Sequence, residues 1–387
     1  MSIITNTSAL QSLCVRLTRE DVVFIDTEFV RDATYWPITC LIQIGGADEV
    51  KIIDALAAGI DLSPLWNLLA DKSILKVLHA GRQDMEIFLH MTGSMPAPVF
   101  DTQIAAQVCG FGEAPGFDKI VAKITGHGID KHARMTDWQR RPLSKTQIEY
   151  ALADVIHLRP VYAHLRDMLH KNKREHWMES EMSILTNPDT YRITPDEMWR
   201  RIKVRAPKPR MLAVLKEIAA WREIEAQTAN VPRGRILRDE ALVEIAAHPP
   251  NDMEKLENIR AISKGFGRSR RGRTLLEAIE RGVAVPARNC PRPPIRSCRP
   301  EGLGPAVELL KVLLKTQCEA EGVAPKLIAT SNDLEALAAE GAAADVPALA
   351  GWRKAVFGAA ALDLLAGRLT LGLKDGRVIL RAKRSNR

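Results

Sequence analysis

The chain has 387 residues, of which 46% are hydrophobic and 26% are charged, and its formal net charge is +8. This length predicts two or three globular domains, because one hydrophobic core rarely organises so long a chain. No apolar run approaches the roughly 18 residues that a membrane span needs, and the first residues lack the features of a signal peptide. We therefore expect a cytoplasmic protein.

The charge is unevenly distributed along the chain. Residues 1–170 contain 16 lysine and arginine residues against 20 aspartate and glutamate residues. The whole positive excess therefore lies after residue 170. A basic second part joined to an acidic first part suggests that one part binds a polyanion while the other carries a carboxylate site; a merely soluble basic surface is the alternative.

The first 170 residues alternate strand-like and helix-like patterns. Hydrophobic patterning predicts strands over residues 21–27, 39–44, 50–54 and 74–80, and a short one at PVFDT. It predicts helices at LSPLWNLLA, at RQDMEIFLHMTG with an end at Gly93, over 103–109, and from about Ser144, a plausible cap, to about Lys171. Together these elements predict a mixed sheet flanked by helices.

Helical patterns dominate the second half of the chain. Residues 172–209 end in proline and basic residues, which is typical of a linker. EIEAQTANVPRGRILRDEALVEIA from Glu223 and TQCEAEGVAPKLIATSNDLEALAAE from Thr316 share a pattern at an offset of roughly 93 residues, which predicts a duplicated helical domain. A Pro- and Arg-rich linker separates the copies, and the last strands are predicted to form a hairpin with Asp375-Gly376 at its turn.

Carboxylates lie at the ends of several predicted elements. In VVFIDTEFVR, Asp26 and Glu28 stand two residues apart in a strand and therefore share one face. HAGRQDMEIF places Asp84 near a helix start, and YALAD places Tyr150 and Asp154 on one helix face. Each residue alone also has an ordinary structural explanation, as a cap or a solvated pair. Their coincidence in one α/β domain favours divalent cations, which neutralise clustered carboxylates.

Two divalent ions, Mg²⁺ or Mn²⁺, about 4 Å apart form a general apparatus for hydrolysing phosphodiesters. One ion lowers the pKa of a bound water, and the other stabilises the leaving oxygen. A phenol has a pKa near 10 and is a poor base at neutral pH. We therefore expect Tyr150 to orient the attacking water.

These motifs resemble those of a known family. IDTEF, HAGRQD and YALAD look like the three exonuclease motifs of the DEDD superfamily, with the tyrosine of its DEDDy branch. DTEFVRDATYWPITCLIQIG, FDTQIAA and MTDWQRRPLSKTQIEYALADV are similar to the ribonuclease D family. The two later repeats resemble its helicase-and-RNase-D C-terminal (HRDC) domains. The resemblance implies an α/β RNase H-like exonuclease domain over 1–171, a linker over 172–209, and all-α HRDC-type domains over 210–285 and 303–387, joined by a linker over 286–302.

The resemblance also implies a function and a division of roles. The expected activity is 3′→5′ hydrolysis of RNA that releases nucleoside 5′-monophosphates, with structured precursors such as tRNA as partners and the protein acting as a monomer. Asp26 would bridge both ions, Glu28 and Asp154 would complete the first, and Asp84 would join the second through water. Asp101 lies outside the matched motifs, and we interpret it as a structural residue that fixes the loop before the next helix.

Further residues are candidates for binding RNA. The backbone of Thr27 could contact the terminal ribose, Phe29 could be a wedge or a core residue, and His79 could contact the scissile region or simply be satisfied at a strand end. Tyr35 and Trp36 are weaker stacking candidates, and the linker adds basic residues from Arg200 to Arg210. The stretch KGFGRSRRGR is predicted to be a flexible loop that binds phosphates, with a solvated charged turn as the alternative. Its cations are Lys264, Arg268, Arg270, Arg271 and Arg273.

Two rival functions remain at this point. A non-catalytic RNA-binding adaptor is disfavoured by the intact carboxylate and tyrosine set, and a DNA exonuclease of proofreading type by the YALAD motif and the helical repeats. The six cysteines show no CxxC spacing. Cys290 and Cys298 could pair across a short loop, but reduced thiols are expected in a chain without an export signal.

Overall fold

The computed structural model describes residues 3–130, 132–292 and 302–382. These residues form two compact units. The first contains residues 3–28, 39–190 and 302–382, and the second contains residues 29–38 and 191–292. The last part of the chain thus belongs to the same unit as most of the N-terminal domain.

A mixed sheet, as predicted, is the framework of the N-terminal domain; it has six strands, because Ile3–Ile4 adds a short one to the five that were predicted. Its strands are β1 (Ile3–Ile4), β2 (Val22–Val30), β3 (Ile38–Gly45), β4 (Val50–Asp54), β5 (Leu75–Leu78) and β6 (Val99–Asp101). Their order is β1-β4-β3-β2-β5-β6. The β3–β4 pair is antiparallel, whereas β1–β4, β2–β5 and β5–β6 are parallel. Strand β2, which carries the predicted acidic pair, therefore lies inside the sheet.

Helices surround this sheet. They are α1 (Thr7–Leu17), α2 (Ser63–Ala70), α3 (Arg82–Thr92), α4 (Thr102–Val108), α5 (Phe117–Thr125) and α6 (Lys145–Lys171). Four of them match predicted helices, with Gly93 ending α3 in the left-handed conformation and Ser144 capping α6. Helices α1 and α5 were not predicted. Asn6 caps α1, whose buried residues Leu10, Leu13 and Leu17 follow helical spacing, so the sequence did contain a signal for it.

The prediction of an irregular linker over 172–209 is wrong for its first part. Residues Glu175–Leu185 form helix α7, and the short helical turns Pro188–Thr190 and Pro195–Arg201 follow it. Trp177 and Met178 of α7 are buried in an apolar core. The helix is stabilised by this tertiary packing, which the proline and basic residues of the segment's end do not reveal.

The first helical repeat belongs to the second unit. Its helices are α8 (Pro209–Thr228), α9 (Arg233–Ile236), α10 (Asp239–Ala247), α11 (Met253–Glu257) and α12 (Arg270–Ala284). Its core contains Leu212, Leu215, Leu242 and Leu275, and also Tyr35 from the segment between β2 and β3. The Tyr35 side chain is buried in this core, so it is not exposed for stacking on RNA; Trp36 packs against the core and is only partly buried, so its stacking role stays a prediction.

The second helical repeat follows the same plan at its start. Its helices are α13 (Leu303–Glu321), α14 (Pro325–Ile328), α15 (Ser331–Glu340), α16 (Gly351–Arg353) and α17 (Ala359–Leu365). In both repeats a long helix is followed by a one-turn helix, α9 or α14, and then by a helix that begins three residues after the one-turn helix ends. The predicted hairpin is present as β7 (Leu369–Lys374) and β8 (Arg377–Ala382). Asp375 and Gly376 both have positive φ at its turn, as a type I′ turn requires.

The predicted linker over 286–302 lies mostly outside the described residues. Before that gap, Ala287–Asn289 form a short helical turn. Cys14, Cys40, Cys109, Cys290 and Cys318 are free and buried. Cys298, the proposed alternative partner of Cys290, lies outside the described residues. Within the described ranges, none of the helices combines the length and apolar character needed to cross a membrane.

Candidate active site

Strand β2 and helix α6 carry the two main parts of the site. Phe24 of β2 contacts the ring of Tyr162 in α6 at 5.9 Å, and both belong to a small core with Val155 and Leu158. Residues two apart in a strand share a face, so Asp26 and Glu28 lie on the face of β2 that is directed towards α6. This packing brings the acidic pair to the helix that carries Tyr150 and Asp154.

The start of α6 is fixed by a capping box. The Ser144 hydroxyl accepts a hydrogen bond from the Gln147 backbone N–H at 3.2 Å, and the Gln147 side chain accepts one from the Ser144 backbone N–H at 3.0 Å. Tyr150 and Asp154 follow within the next two turns and lie one turn apart on the same face. The cap therefore sets the register of the two functional candidates relative to the sheet.

Three carboxylates converge in this place. Asp26, Glu28 and Asp154 each offer one oxygen, and the three atoms lie within 4.8 Å of one another. Burial raises the pKa of Asp26 well above its usual range, and the charges of Asp154, Asp84 and Glu28 raise it further. Burial and the charges of Asp154 and Asp84 likewise raise the pKa of Glu28 to about 9. A bound cation would offset this repulsion, so the donor set fits a hard divalent metal.

Asp84 lies beside this group of three but is held differently. Its carboxylate accepts a short hydrogen bond from the hydroxyl of Thr27, and both side chains are buried. Burial raises the pKa of Asp84 to about 6, although its hydrogen bond with Thr27 works in the opposite direction. Thr27 is thus seen holding Asp84 through its side chain; the expected contact of its backbone with a ribose stays a prediction.

Asp101 has the structural role that the sequence suggested. Its carboxylate caps α4 by accepting hydrogen bonds from the backbone of Gln103 at 2.8 Å and Ile104 at 3.2 Å. It also accepts hydrogen bonds from Ala80 N–H at 3.2 Å and Gly81 N–H at 2.8 Å, in the turn that precedes α3. Ala80 has a positive φ of 53°, so this turn is strained for a residue with a side chain. Asp101 therefore fixes the turn that leads into the helix of Asp84.

Tyr150 borders the acidic group from α6. Burial, the charges of Asp154, Glu28 and Asp26, and a hydrogen bond with Asp154 all raise the pKa of its phenol. The phenol therefore stays protonated at physiological pH. Tyr150 can donate a hydrogen bond and orient a neighbouring group, but it cannot accept a proton as a general base.

His79 follows β5, and Phe29 lies near the end of β2. The His79 Nδ1 lies 3.0 Å from the Thr102 hydroxyl, and its ring centroid lies 4.9 Å from that of Phe117. These contacts fit a satisfied histidine at a strand end. Phe29 is half-buried near the end of β2 and, by strand alternation, faces away from Glu28. Neither residue is linked to RNA by these contacts, so a role in substrate binding stays a prediction for both.

The expected flexible loop over Lys264–Arg273 is wrong in its second half, which is helical, whereas phosphate binding by its cations stays a prediction. Ser269 caps α12, so Arg270, Arg271 and Arg273 lie in the first turn of a helix. Arg270 and Arg271 form ion pairs with the buried Glu225 at 2.6 Å and 3.1 Å. The sequence pattern missed this because Glu225 is far away in the chain. In the 200–210 stretch, Arg210 similarly donates a hydrogen bond to the Val283 carbonyl at 2.8 Å.

The segment just before α6 borders the site but was not predicted to belong to it. Arg134 is exposed, and its charge lowers the pKa of Glu28 against the larger effect of burial. Met135 next to it is 91% exposed. Trp138 is buried, and its ring centroid lies 6.1 Å from that of Tyr150. The basic residue and the tryptophan in KHARMTDWQRRPL, directly before the tyrosine motif, were the signal that could have found this segment.

Known proteins share both the sequence and the architecture. A family model described as 3′-5′ exonuclease matches residues 1–170, and one described as HRDC domain matches residues 211–279. The chain is 48% identical to ribonuclease D of Nitrobacter hamburgensis over 386 residues, which covers 100% of both chains. It is 51% identical to ribonuclease D of Granulibacter bethesdensis, over 98% of this chain and 95% of that one.

A solved structure is also similar over nearly the whole length. It is Escherichia coli RNase D, described as an exoribonuclease involved in structured RNA processing. Its TM-score is 0.81 at 31% identity, with coverage of 94% of this chain and 98% of that chain. The similarity therefore extends through both helical repeats as well as the sheet domain.

Proposed function

The chain belongs to the ribonuclease D family of 3′-5′ exoribonucleases, and we propose that it trims the 3′ ends of structured RNA with two divalent ions held by Asp26, Glu28, Asp84 and Asp154. The observation that carries the proposal is the approach of three carboxylate oxygens to within 4.8 Å of one another. Carboxylates this close to one another lower the stability of the folded protein unless a bound cation offsets their repulsion.

The position of each residue suggests its role in catalysis. Asp26, Glu28 and Asp154 would contact the ions directly, and Asp84, held by Thr27, would complete the set. Bound Mg²⁺ or Mn²⁺ would supply a water of lowered pKa and a counter-charge for the leaving oxygen. Tyr150 remains protonated and would orient the attacking water or the scissile phosphate by donating a hydrogen bond. The expected product is a nucleoside 5′-monophosphate.

RNA is the expected substrate for two reasons. The family relationship concerns ribonucleases, and one relative is described as acting in structured RNA processing. In addition, the positive excess of the chain lies entirely after residue 170, in the part that contains the helical repeats. We propose that the second repeat, like the first, is an HRDC-type domain, because its first three helices follow the same plan. Precursors of tRNA with extra 3′ residues are the substrates to try first.

The deciding experiment is digestion of an end-labelled tRNA that carries additional 3′ residues. The wild-type protein with Mg²⁺ or Mn²⁺ is expected to shorten the RNA from its 3′ end and to release mononucleotides. Asp26→Asn is expected to lower the rate by several orders of magnitude, and EDTA should abolish it. Asp48→Asn, which changes an exposed carboxylate in the β3–β4 turn, is the matched control and should keep wild-type activity.

Each rival function predicts a different result. RNA that persists with either metal, although the protein binds it, would indicate a non-catalytic adaptor. Faster digestion of a matched DNA oligonucleotide than of RNA would indicate a DNA exonuclease. Full activity of Asp26→Asn would remove the carboxylate group from the mechanism.

A further inference from the structure

Residues 132–138 form a turn that is anchored to the sheet. We call it the 132–138 turn. Arg141 forms a bidentate ion pair with the buried Asp54 at the end of β4, with distances of 2.6 Å and 2.7 Å. The same guanidinium donates a hydrogen bond to the Trp138 carbonyl at 2.7 Å, and the Trp138 side chain is buried. The C-terminal end of the turn is therefore fixed by a charge-assisted contact and by packing.

The same turn is also tied to the start of α6. The amide of Gln147 donates hydrogen bonds to the Thr136 hydroxyl at 3.1 Å and to the Asp137 carbonyl at 3.2 Å. Within the turn, the Thr136 hydroxyl donates to the Ala133 carbonyl at 2.6 Å, and the Trp138 indole N–H points to the Arg134 carbonyl at 3.4 Å. Because Gln147 also closes the α6 capping box, the backbone of the turn and Tyr150 are held by one network.

Two side chains project from this fixed turn into solvent. Met135 is 91% exposed, the highest value among the large hydrophobic side chains of the described residues. Arg134 is also exposed, and none of its side-chain nitrogens takes part in an ion pair with the described residues. Because neither side chain is packed, both are available to contact a strand that reaches the site.

The position of Arg134 relative to the site follows from the packing of its turn. The Trp138 indole N–H points to the Arg134 carbonyl, and the Trp138 ring centroid lies 6.1 Å from that of Tyr150. A positive charge beside carboxylates that hold metal ions repels those ions and weakens their binding. The backbone of a nucleic acid that enters the site is an anion with which this guanidinium can pair. Guanidinium groups suit this contact because they bind two phosphate oxygens at once.

We propose that Arg134 binds a backbone phosphate of the RNA strand entering the site and that Met135 packs against a base next to the scissile linkage. The inference rests on the proposed function and adds the residues that position the substrate. Met135 would hold the terminal nucleotide apart from its neighbour, as apolar side chains do when they enter between stacked bases. The anchored turn keeps both side chains in place before RNA arrives, which lowers the entropic cost of binding.

The test separates substrate binding from an effect on the metals. Arg134→Gln, Arg134→Lys and, as the matched control, Arg140→Gln are compared on a short single-stranded RNA. Arg134→Gln is expected to raise KM by about 10–100-fold, the equivalent of one charge-assisted hydrogen-bonded contact. Arg134→Lys should recover part of the loss. The metal concentration for half-maximal rate should fall or stay constant in Arg134→Gln, because a repelling charge has been removed.

Affinity measured without catalysis makes the inference independent of turnover. With EDTA present, Arg134→Gln should weaken binding of the same RNA and reduce the slope of log affinity against log salt by about 0.7, the value for one phosphate contact on a single strand. Met135→Ala should lower affinity about 10-fold, as expected for the loss of roughly two buried methylene-sized groups from an apolar contact, whereas Met135→Leu should keep it.

Three results would overturn the inference. They are an unchanged KM and affinity in Arg134→Gln, an increased metal requirement with unchanged affinity, and an equal loss in Arg140→Gln. The proposed function fails in a different way, namely when the wild-type protein binds RNA but does not shorten it with Mg²⁺ or Mn²⁺. In that case the affinity measurements still decide whether Arg134 and Met135 bind RNA.

Discussion

The two helical repeats begin with the same plan of helices but are secured by different kinds of contact. In the second unit, Glu223 of the first repeat is 1% exposed and accepts hydrogen bonds from the Tyr35 hydroxyl and from the Arg233 guanidinium. Asn230 also accepts hydrogen bonds from the backbone N–H groups of Tyr35 and Trp36 at 3.1 Å and 2.9 Å. The first repeat is thus fastened to the segment between β2 and β3 by a buried polar network in addition to the apolar packing of Tyr35.

The second repeat is fastened to the N-terminal domain mainly by an apolar core. Trp352 stacks on Trp177 of α7 with ring centroids 4.1 Å apart and planes 9° apart. Leu310, Leu313 and Phe357 share one buried core with Ala105 and Val108 of α4. The repeat pattern in the sequence therefore defines how each helical domain begins, but not what it packs against.

This difference has an energetic consequence. Apolar burial adds stability in proportion to the area removed from water, whereas a buried polar network mainly penalises incorrect arrangements. We expect apolar burial to provide most of the stability with which the second repeat packs on the N-terminal domain. The first repeat should mainly define the position of the segment that joins β2 to β3.

Trp177→Ala should have the largest effect. Removal of the stacked indole leaves a cavity in the core shared with the second repeat, and loss of a buried tryptophan typically costs about 3–5 kcal/mol. Chemical unfolding of the full chain should show this decrease in the free energy of unfolding. Trp352→Ala should cost a similar amount, and the double variant should lose less than the sum, because both changes remove one stack. Additive losses would contradict the shared core.

Glu223→Ala should have the next largest effect, with a different signature. It leaves the Tyr35 hydroxyl and the Arg233 guanidinium without their partner, at a cost of about 2–3 kcal/mol. Hydrogen exchange should increase at residues 29–38, whereas exchange in α13 and α15 should stay as in the wild type. Tyr35→Phe, which removes only the hydroxyl, is the milder control. Equal exchange changes in both repeats would argue against two separate modes of fastening.

Gly110→Ala probes a close backbone approach at the second repeat. Gly110 has φ +79°, and a Cβ built there would lie 2.7 Å from the Gly322 carbonyl oxygen at the end of α13. We expect a loss of about 1–3 kcal/mol, because both the backbone conformation and the space exclude a side chain. Gly304→Ala in α13, where a Cβ meets nothing within 4 Å, should instead stabilise by about 0.5–1 kcal/mol. A harmless Gly110→Ala would mean that the two segments can move apart freely.

The smallest expected effect is on the pH dependence of the free energy of unfolding. Burial works to raise the pKa of Glu223, but the hydrogen bonds from Arg233 and Tyr35 outweigh it and lower the pKa below its ordinary value. Burial raises the pKa of Glu181, despite its ion pair with Arg353 of the second repeat. The two glutamates therefore respond to acid in opposite directions.

Linkage gives the sign of each contribution. The stabilisation from Glu223 is present above the pKa of the unfolded chain, near 4.5, and is lost as the pH falls below it. A raised pKa for Glu181 means that the folded state binds a proton more tightly, so its contribution improves as the pH falls towards 4.5. Between pH 7 and pH 3, the free energy of unfolding should fall less steeply at the acidic end in Glu223→Gln than in the wild type. In Glu181→Gln it should fall more steeply than in the wild type. The same response in both variants would refute the assignment.

Much of the site was predictable because its residues obey local rules. Strand alternation placed Asp26 and Glu28 on one face, helical spacing placed Tyr150 and Asp154 on another, and Ser144 marked the start of α6. These rules did not predict which residues each side chain contacts. Thr27 was expected to bind a ribose through its backbone and is seen holding Asp84 through its side chain, and the expected cation loop is partly a helix start paired with Glu225.

The sequence by itself determined the mixed sheet, most of its helices, the duplicated helical plan, the terminal hairpin and the set of carboxylates, because each depends on residues close together in the chain. Only the tertiary structure decided that α7 is a buried helix, that Tyr35 belongs to the first repeat, and that the 132–138 turn packs Trp138 beside Tyr150. Those features arise from contacts between residues tens to hundreds of positions apart. A local sequence pattern does not show which distant group will pair with a buried charge and offset the cost of its burial.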